Sequence, residues 1–297
     1  MRRFVKSATE VLIGNRLAIR AARITRAGAD VILAYHNVIS TGAPSGDRSL
    51  HLPLARFVEQ VEWLQSHFGI VPLDELLLDG GDRSRAAITF DDAYRGAVRL
   101  GLPELAARGI PATIFVCSGW EGGELPWWDA LADPDSGLSP AVRRTALEEY
   151  AGRTACVMAW ARGMGMRSLE LSDEYRIAAP AEVNACATRG DFKIGMHSRT
   201  HPDLTRLSND DLREEVEACR SEISRKSTAA IEWFAYPYGS TDVRVRSAVE
   251  RAGYRAAVRI DGGGTSRRGS VDRFDLPRLN VPSGISTRGF RILVARA

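Results

Sequence analysis

The residues best suited to chemistry are Asp91 and Asp92 in Thr89-Phe90-Asp91-Asp92, and His197 and His201 in His197-Ser198-Arg199-Thr200-His201. The two carboxylates follow Ala86-Ala87-Ile88, an apolar run with the character of a buried parallel strand. Adjacent like charges at a strand end repel, and burying them is costly unless positive charge lies close. The carboxyl end of a strand is also where α/β folds bind ligands. An Asp ahead of a helix would alone be read as an N-cap; the histidines change that balance. Four residues apart, they point the same way on a helical turn and can share one metal. They also begin where an expected buried strand, Phe192 to Met196, ends. Two His and one carboxylate, with positions left for water, form a catalytic rather than a structural ligand set.

Both clusters need strands to carry them to one rim. Strands are expected at Val31 to Tyr35, Gly69 to Val71, 86–90, 112–117, Phe192 to Met196, 231–236, 255–259 and 275–281. Helical periodicity lies between them, at 54–68, up to about Arg108, near 180–189, at 208–226 and at 241–252. Strands alternating with helices predict a parallel sheet, and at least six strands over this length predict a closed or nearly closed barrel. Residues 40–52 read as a Gly/Ser/Pro loop, and 118–180 as a helical insertion opening on Trp120, Trp127 and Trp128. The expected organisation is thus an N-terminal segment, 1–29, ahead of a barrel over 30–297.

The 297 residues carry a net charge of +3, too small to imply a nucleic-acid partner. The positive charge is local. Residues 1–30 hold Arg2, Arg3, Lys6, Arg16, Arg20, Arg23 and Arg26 against Glu10 and Asp30. Phe4, Ala8, Val11, Leu12, Ala18, Ile19 and Ala22 fall on one helical stripe there. Such a basic amphipathic helix either lies on a membrane surface or packs on the domain. Arginines interrupt any signal-peptide core, and Cys117, Cys156, Cys186 and Cys219 are far apart. These features predict reduced thiols and a cytoplasmic protein, peripheral at the inner membrane face if the helix binds lipid.

Three motifs in order, Thr-Phe-Asp-Asp at 89–92, His-Ser-Arg-Thr-His-Pro-Asp-Leu-Thr at 197–205 and Phe-Ala-Tyr-Pro-Tyr-Gly at 234–239, resemble the polysaccharide deacetylase family. This is the NodB homology domain, or carbohydrate esterase family four. The resemblance covers roughly residues 30–283, and Ala34-Tyr35-His36-Asn37-Val38 is similar to the start of one subgroup. It implies an α/β fold, a distorted (β/α)7 barrel with the helical insertion, and N-deacetylation of amino sugars of an acetylated glycan. By position it implies Asp92, His197 and His201 as ligands of a divalent ion, with Zn²⁺ expected, and Asp91 as general base. The backbone N–H of Tyr238 is implied as oxyanion donor.

The chain departs from the family pattern twice. Ala235 stands where many members have the Arg that orients the base; Arg278 is the replacement considered, against a reading as a surface ion pair. The C-terminal Leu-x-His that supplies the general acid is absent, and no His follows His201. His36, ending the first strand, is assigned that role, while His51 and His67 are expected at the surface. Trp120, Trp127 and Trp128 follow a strand end and are expected to rim the cleft, because sugar faces stack on aromatics, and Trp127, Trp128 and Tyr238 are taken as the substrate contacts; core packing is the other reading of the tryptophans. Two further functions fit the same residues: an O-acetyl esterase or deformylase, and an inactive sugar-binding barrel. The second must explain Asp91, since binding a metal needs Asp92 but no base.

Overall fold

The computed structural model describes residues 30–78, 84–188, 192–226, 231–260 and 272–297. The expected N-terminal helix lies outside the described residues. Ten strands occur among those described: β1 (Val31–Tyr35), β2 (Asn37–Ile39), β3 (His51–Pro53), β4 (Gly69–Ile70), β5 (Arg85–Phe90), β6 (Ala112–Val116), β7 (Phe192–Met196), β8 (Trp233–Ala235), β9 (Ala256–Ile260) and β10 (Leu276–Asn280). Seven of them form a closed parallel ring, β1-β10-β9-β8-β7-β6-β5, which β5 closes on β1 in the register Val31↔Ala86 to Tyr35↔Phe90. Among the described residues, β4 pairs with the first residues of β5. Helices cover the outside, as in a distorted (β/α)7 barrel.

Strand alternation sorts the core in two. Val31, Leu33, Ile88, Ile114, Ile194 and Phe234 belong to the large cluster under the helices. Ile32, Ala87, Phe115, Trp233, Ala235, Ala256, Val258 and Leu276 form the smaller one inside the ring, with Leu73. The lumen is tight. A Cβ on Gly195 would meet the Phe115 ring at 2.5 Å, so β7 must carry a glycine there. The helix Leu54–His67 buries Phe57, Val61 and Leu64 at helical spacing against the ring. A final helix, Thr287–Arg296, packs beside it through Phe290 and Val294, with Ser286 capping the Gly289 N–H. No helix among the described residues is long and apolar enough to cross a membrane.

The insertion folds into short helices, Trp127–Ala130, Pro140–Tyr150 and Thr154–Gly163, around its own buried Trp127, Trp128, Leu131, Ala146 and Val157. It returns beside its start, where the Ile177 and Gly123 N–H groups donate to Glu124 O and Ile177 O.

Four details differ from the sequence reading. The loop at 40–52 ends in strand β3, which pairs with β2. The terminal helix was not expected, because its apolar stripe is short and basic residues surround it. His51 is completely buried rather than at the surface, between Asn37 and Asp129. His67 is half-buried, stacked on Trp63 at 4.3 Å.

Candidate metal and catalytic centre

Asp91 and Asp92 leave the end of β5 through a sharp turn, with Asp92 and Ala93 both left-handed at φ 67° and 55°. Non-glycine residues adopt this conformation at a cost, and such strain concentrates at functional sites. Asp91 is fully buried, and so is Arg278 on β10. Arg278 donates from Nη1 and Nη2 to the two Asp91 carboxylate oxygens, each at 2.7 Å, and from Nη1 to Thr89 Oγ1 at 2.9 Å. Its guanidinium carbon lies 5.3 Å from the centre of the Phe115 ring. The surface reading of Arg278 is therefore wrong: the pair is buried and bidentate, the geometry in which Arg is strongest. Burial alone would raise the Asp91 pKa, but the Arg278 charge outweighs it and holds the carboxyl below the ordinary range.

His197 ends β7. Its Nδ1–H donates to Ala235 O at 2.7 Å, which leaves the Nε2 lone pair facing the rim. Burial lowers its pKa to about 4, so the ring is neutral near pH 7. His201 Nε2 stands 3.2 Å from His197 Nε2 and 3.2 Å from Asp92 Oδ1, while His197 Nε2 is 3.7 Å from the same oxygen. The segment joining the histidines is a tight loop rather than the expected helical turn, with Ser198 and His201 left-handed at φ 66° and 64°. Glu215 braces it: one carboxylate oxygen accepts the N–H groups of Arg199 and Thr200, the other the Thr200 hydroxyl. Sequence reasoning missed Glu215, which sits in a π turn, Glu214–Ala218, within an otherwise regular helical pattern.

Asp92, His197 and His201 thus offer three buried ligand atoms within 4.8 Å of one another. Asp92 Oδ1 accepts no hydrogen bond from the described residues. A buried carboxylate oxygen facing two imidazole nitrogens is the kind of donor set that a divalent cation takes. The separations suit ligands at about 2.0–2.2 Å from one small divalent ion. The residues present therefore fit a metal.

His36 follows β1 on the same rim and is half-buried. Its charge, when present, would act on both Asp91 and Asp92. Tyr238 is left-handed at φ 58° in the turn after β8, and its ring meets His201 edge-on at 4.6 Å. Trp127 and Trp128 are buried, at 0% and 3% exposure. That corrects their expected role as a sugar platform, since neither has a free face; they are packed walls of the centre. Trp120, half-buried, is the one of these three that stays partly open.

The family model described as "Polysaccharide deacetylase" matches residues 79–257. No curated protein matches the chain closely enough to count as a relative. Among solved structures, the Streptococcus pyogenes deacetylase PplD is similar at 15% identity and TM-score 0.62, covering 91% of this chain and 98% of that one. The de-N-acetylase of Aggregatibacter actinomycetemcomitans is similar at 13% identity and TM-score 0.62, covering 89% and 99%. IcaB of Ammonifex degensii is similar at 16% identity and TM-score 0.58, covering 92% and 99%. These likenesses show the shared barrel. With the family model matching more than half of the residues, the chain belongs to the polysaccharide deacetylase family.

Proposed function

We propose that the protein is a metal-dependent hydrolase that removes N-acetyl groups from amino sugars of a polysaccharide or glycan precursor. Asp92, His197 and His201 hold the ion, and Zn²⁺ suits a set of two imidazoles and one carboxylate. The bound ion supplies Lewis acidity, to the attacking water and to the acetyl carbonyl. Asp91 takes the proton of the attacking water, and Arg278 keeps its carboxylate ionised and aimed. The Tyr238 N–H would donate to the developing oxyanion, the role that the family resemblance implies for it. His36 gives a proton to the departing amine. The observation that carries this reading is the buried Asp91–Arg278 pair beside a separate three-ligand cluster. A barrel that only bound sugar would need neither the base nor its guanidinium. The names of the structural neighbours, which include two deacetylases, agree with the reaction.

The acid is the step most open to test. Amide cleavage expels a poor leaving group unless its nitrogen is protonated, so losing the acid should cost roughly 10²–10⁴ in rate. His36→Ala should keep its metal content, lose that much turnover on N-acetylated amino-sugar oligomers, and lose less on an acetyl ester with a good leaving group. Amide turnover near the wild-type rate in that variant would move the acid to another residue.

A further inference from the structure

A metal-ligating histidine is usually oriented by a hydrogen bond from its second ring nitrogen. His197 has that bond, to Ala235 O. His201 does not: its buried Nδ1 has no hydrogen-bond partner among the described residues. Three aromatic rings enclose it instead. Trp120 stacks on it at 5.8 Å and 19°, Trp128 lies at 4.8 Å, and Tyr238 stands edge-on at 4.6 Å.

The wall is tied down by one carboxylate. Trp128 Nε1–H donates to Tyr94 Oη at 2.7 Å, and the Tyr94 hydroxyl donates to Asp129 Oδ2 at 2.6 Å. The other Asp129 oxygen accepts the Asp47 N–H at 2.7 Å and His51 Nε2–H at 2.8 Å. The amide nitrogen of Asn37 stands 3.0 Å from His51 Nδ1, so Nδ1 accepts and Nε2 carries the proton. Tyr94, His51 and Asp129 are all fully buried. Asp129 therefore joins the insertion, the loop before β3 and the turn after β5. A buried carboxylate is costly ground for a joint that only fills space, since apolar contacts would serve.

We propose that Asp129 is a positioning residue for His201: it anchors the aromatic cage that replaces the missing ring hydrogen bond, and so sets the affinity for the metal. This rests on the reading of Asp92, His197 and His201 as ligands.

The test is a Zn²⁺ titration of the full chain against a chromophoric chelator, with thermal melts of the metal-free proteins alongside. Asp129→Asn should raise the zinc dissociation constant about 10–100-fold. Tyr94→Phe keeps the ring and cuts the link, and should shift it the same way. Leu131→Ala, in the same small core but off the chain of bonds, should lower the melting temperature and leave the zinc constant unchanged. A folded Asp129→Asn or Tyr94→Phe with the wild-type constant overturns the proposal. If Asp129→Asn does not fold, Tyr94→Phe decides. Wild-type protein that binds no zinc overturns the ligand assignment, and this inference with it.

Discussion

Asp91 and Arg278 show how one residue pair constrains the chemistry. Both are fully buried, so removing the guanidinium leaves a carboxylate with neither water nor counter-charge. Arg278→Leu should cost about 3–5 kcal/mol, read as a lowered urea midpoint, because breaking a buried pair strands the remaining charge. An unchanged midpoint would mean that solvent reaches Asp91. His197 gives a pH dependence of known sign. Its folded pKa of about 4 lies below the ordinary imidazole value of about 6.5, so the unfolded chain binds a proton that the folded one refuses. The contribution is fully present above about pH 6.5 and is lost as the pH falls toward about 4. The urea midpoint of chelator-treated protein should therefore drop between pH 7 and 4.5, and a flat profile would place His197 in contact with solvent. The Asp pair and the His pair were legible because each stands at the end of an apolar run. Arg278 was nameable only as the one Arg within the expected last strand, 275–281. The burial of His51 was not legible, and for Trp127 and Trp128 the sequence could not choose between core and cleft, since all three owe their burial to the insertion, whose packing no short pattern encodes.

At the scale of elements, the centre is built from strand ends whose following turns are bent the costly way. Asp92, Ala93, Ser198, His201 and Tyr238 are all left-handed without being glycine. The four-residue spacing of His197 and His201 is equally compatible with a helix. It becomes a loop because Glu215 satisfies two of its N–H groups, and Ser198 Oγ accepts the His201 N–H at 3.0 Å. Glu215→Ala should cost about 1–3 kcal/mol in the denaturant midpoint through the donors it strands. It should also weaken metal binding, because the loop carries one of the proposed ligands at each end. A Glu215→Ala protein with wild-type stability and metal content would show that the loop holds its shape unaided.

For the whole molecule, the alternation of strands and helices was enough to predict a parallel barrel, because strands joined through helices run parallel in one sheet. Closure was less visible. It depends on β1 pairing with both β5 and β10, partners distant in sequence. The terminal helix that braces Leu54–His67 is too short and too basic to stand out. What the barrel achieves is convergence: β1, β5, β7 and β10 deliver His36, the Asp pair, His197 and Arg278 to one rim. The most direct measurement is acetate release from an N-acetylated amino-sugar oligomer by chelator-treated protein, followed as Zn²⁺ is added back. Without metal no acetate should be released, with full recovery at one equivalent per chain and Asp92→Ala failing to recover. Acetate release that chelation leaves untouched, or that returns equally in Asp92→Ala, would contradict the proposed metal dependence.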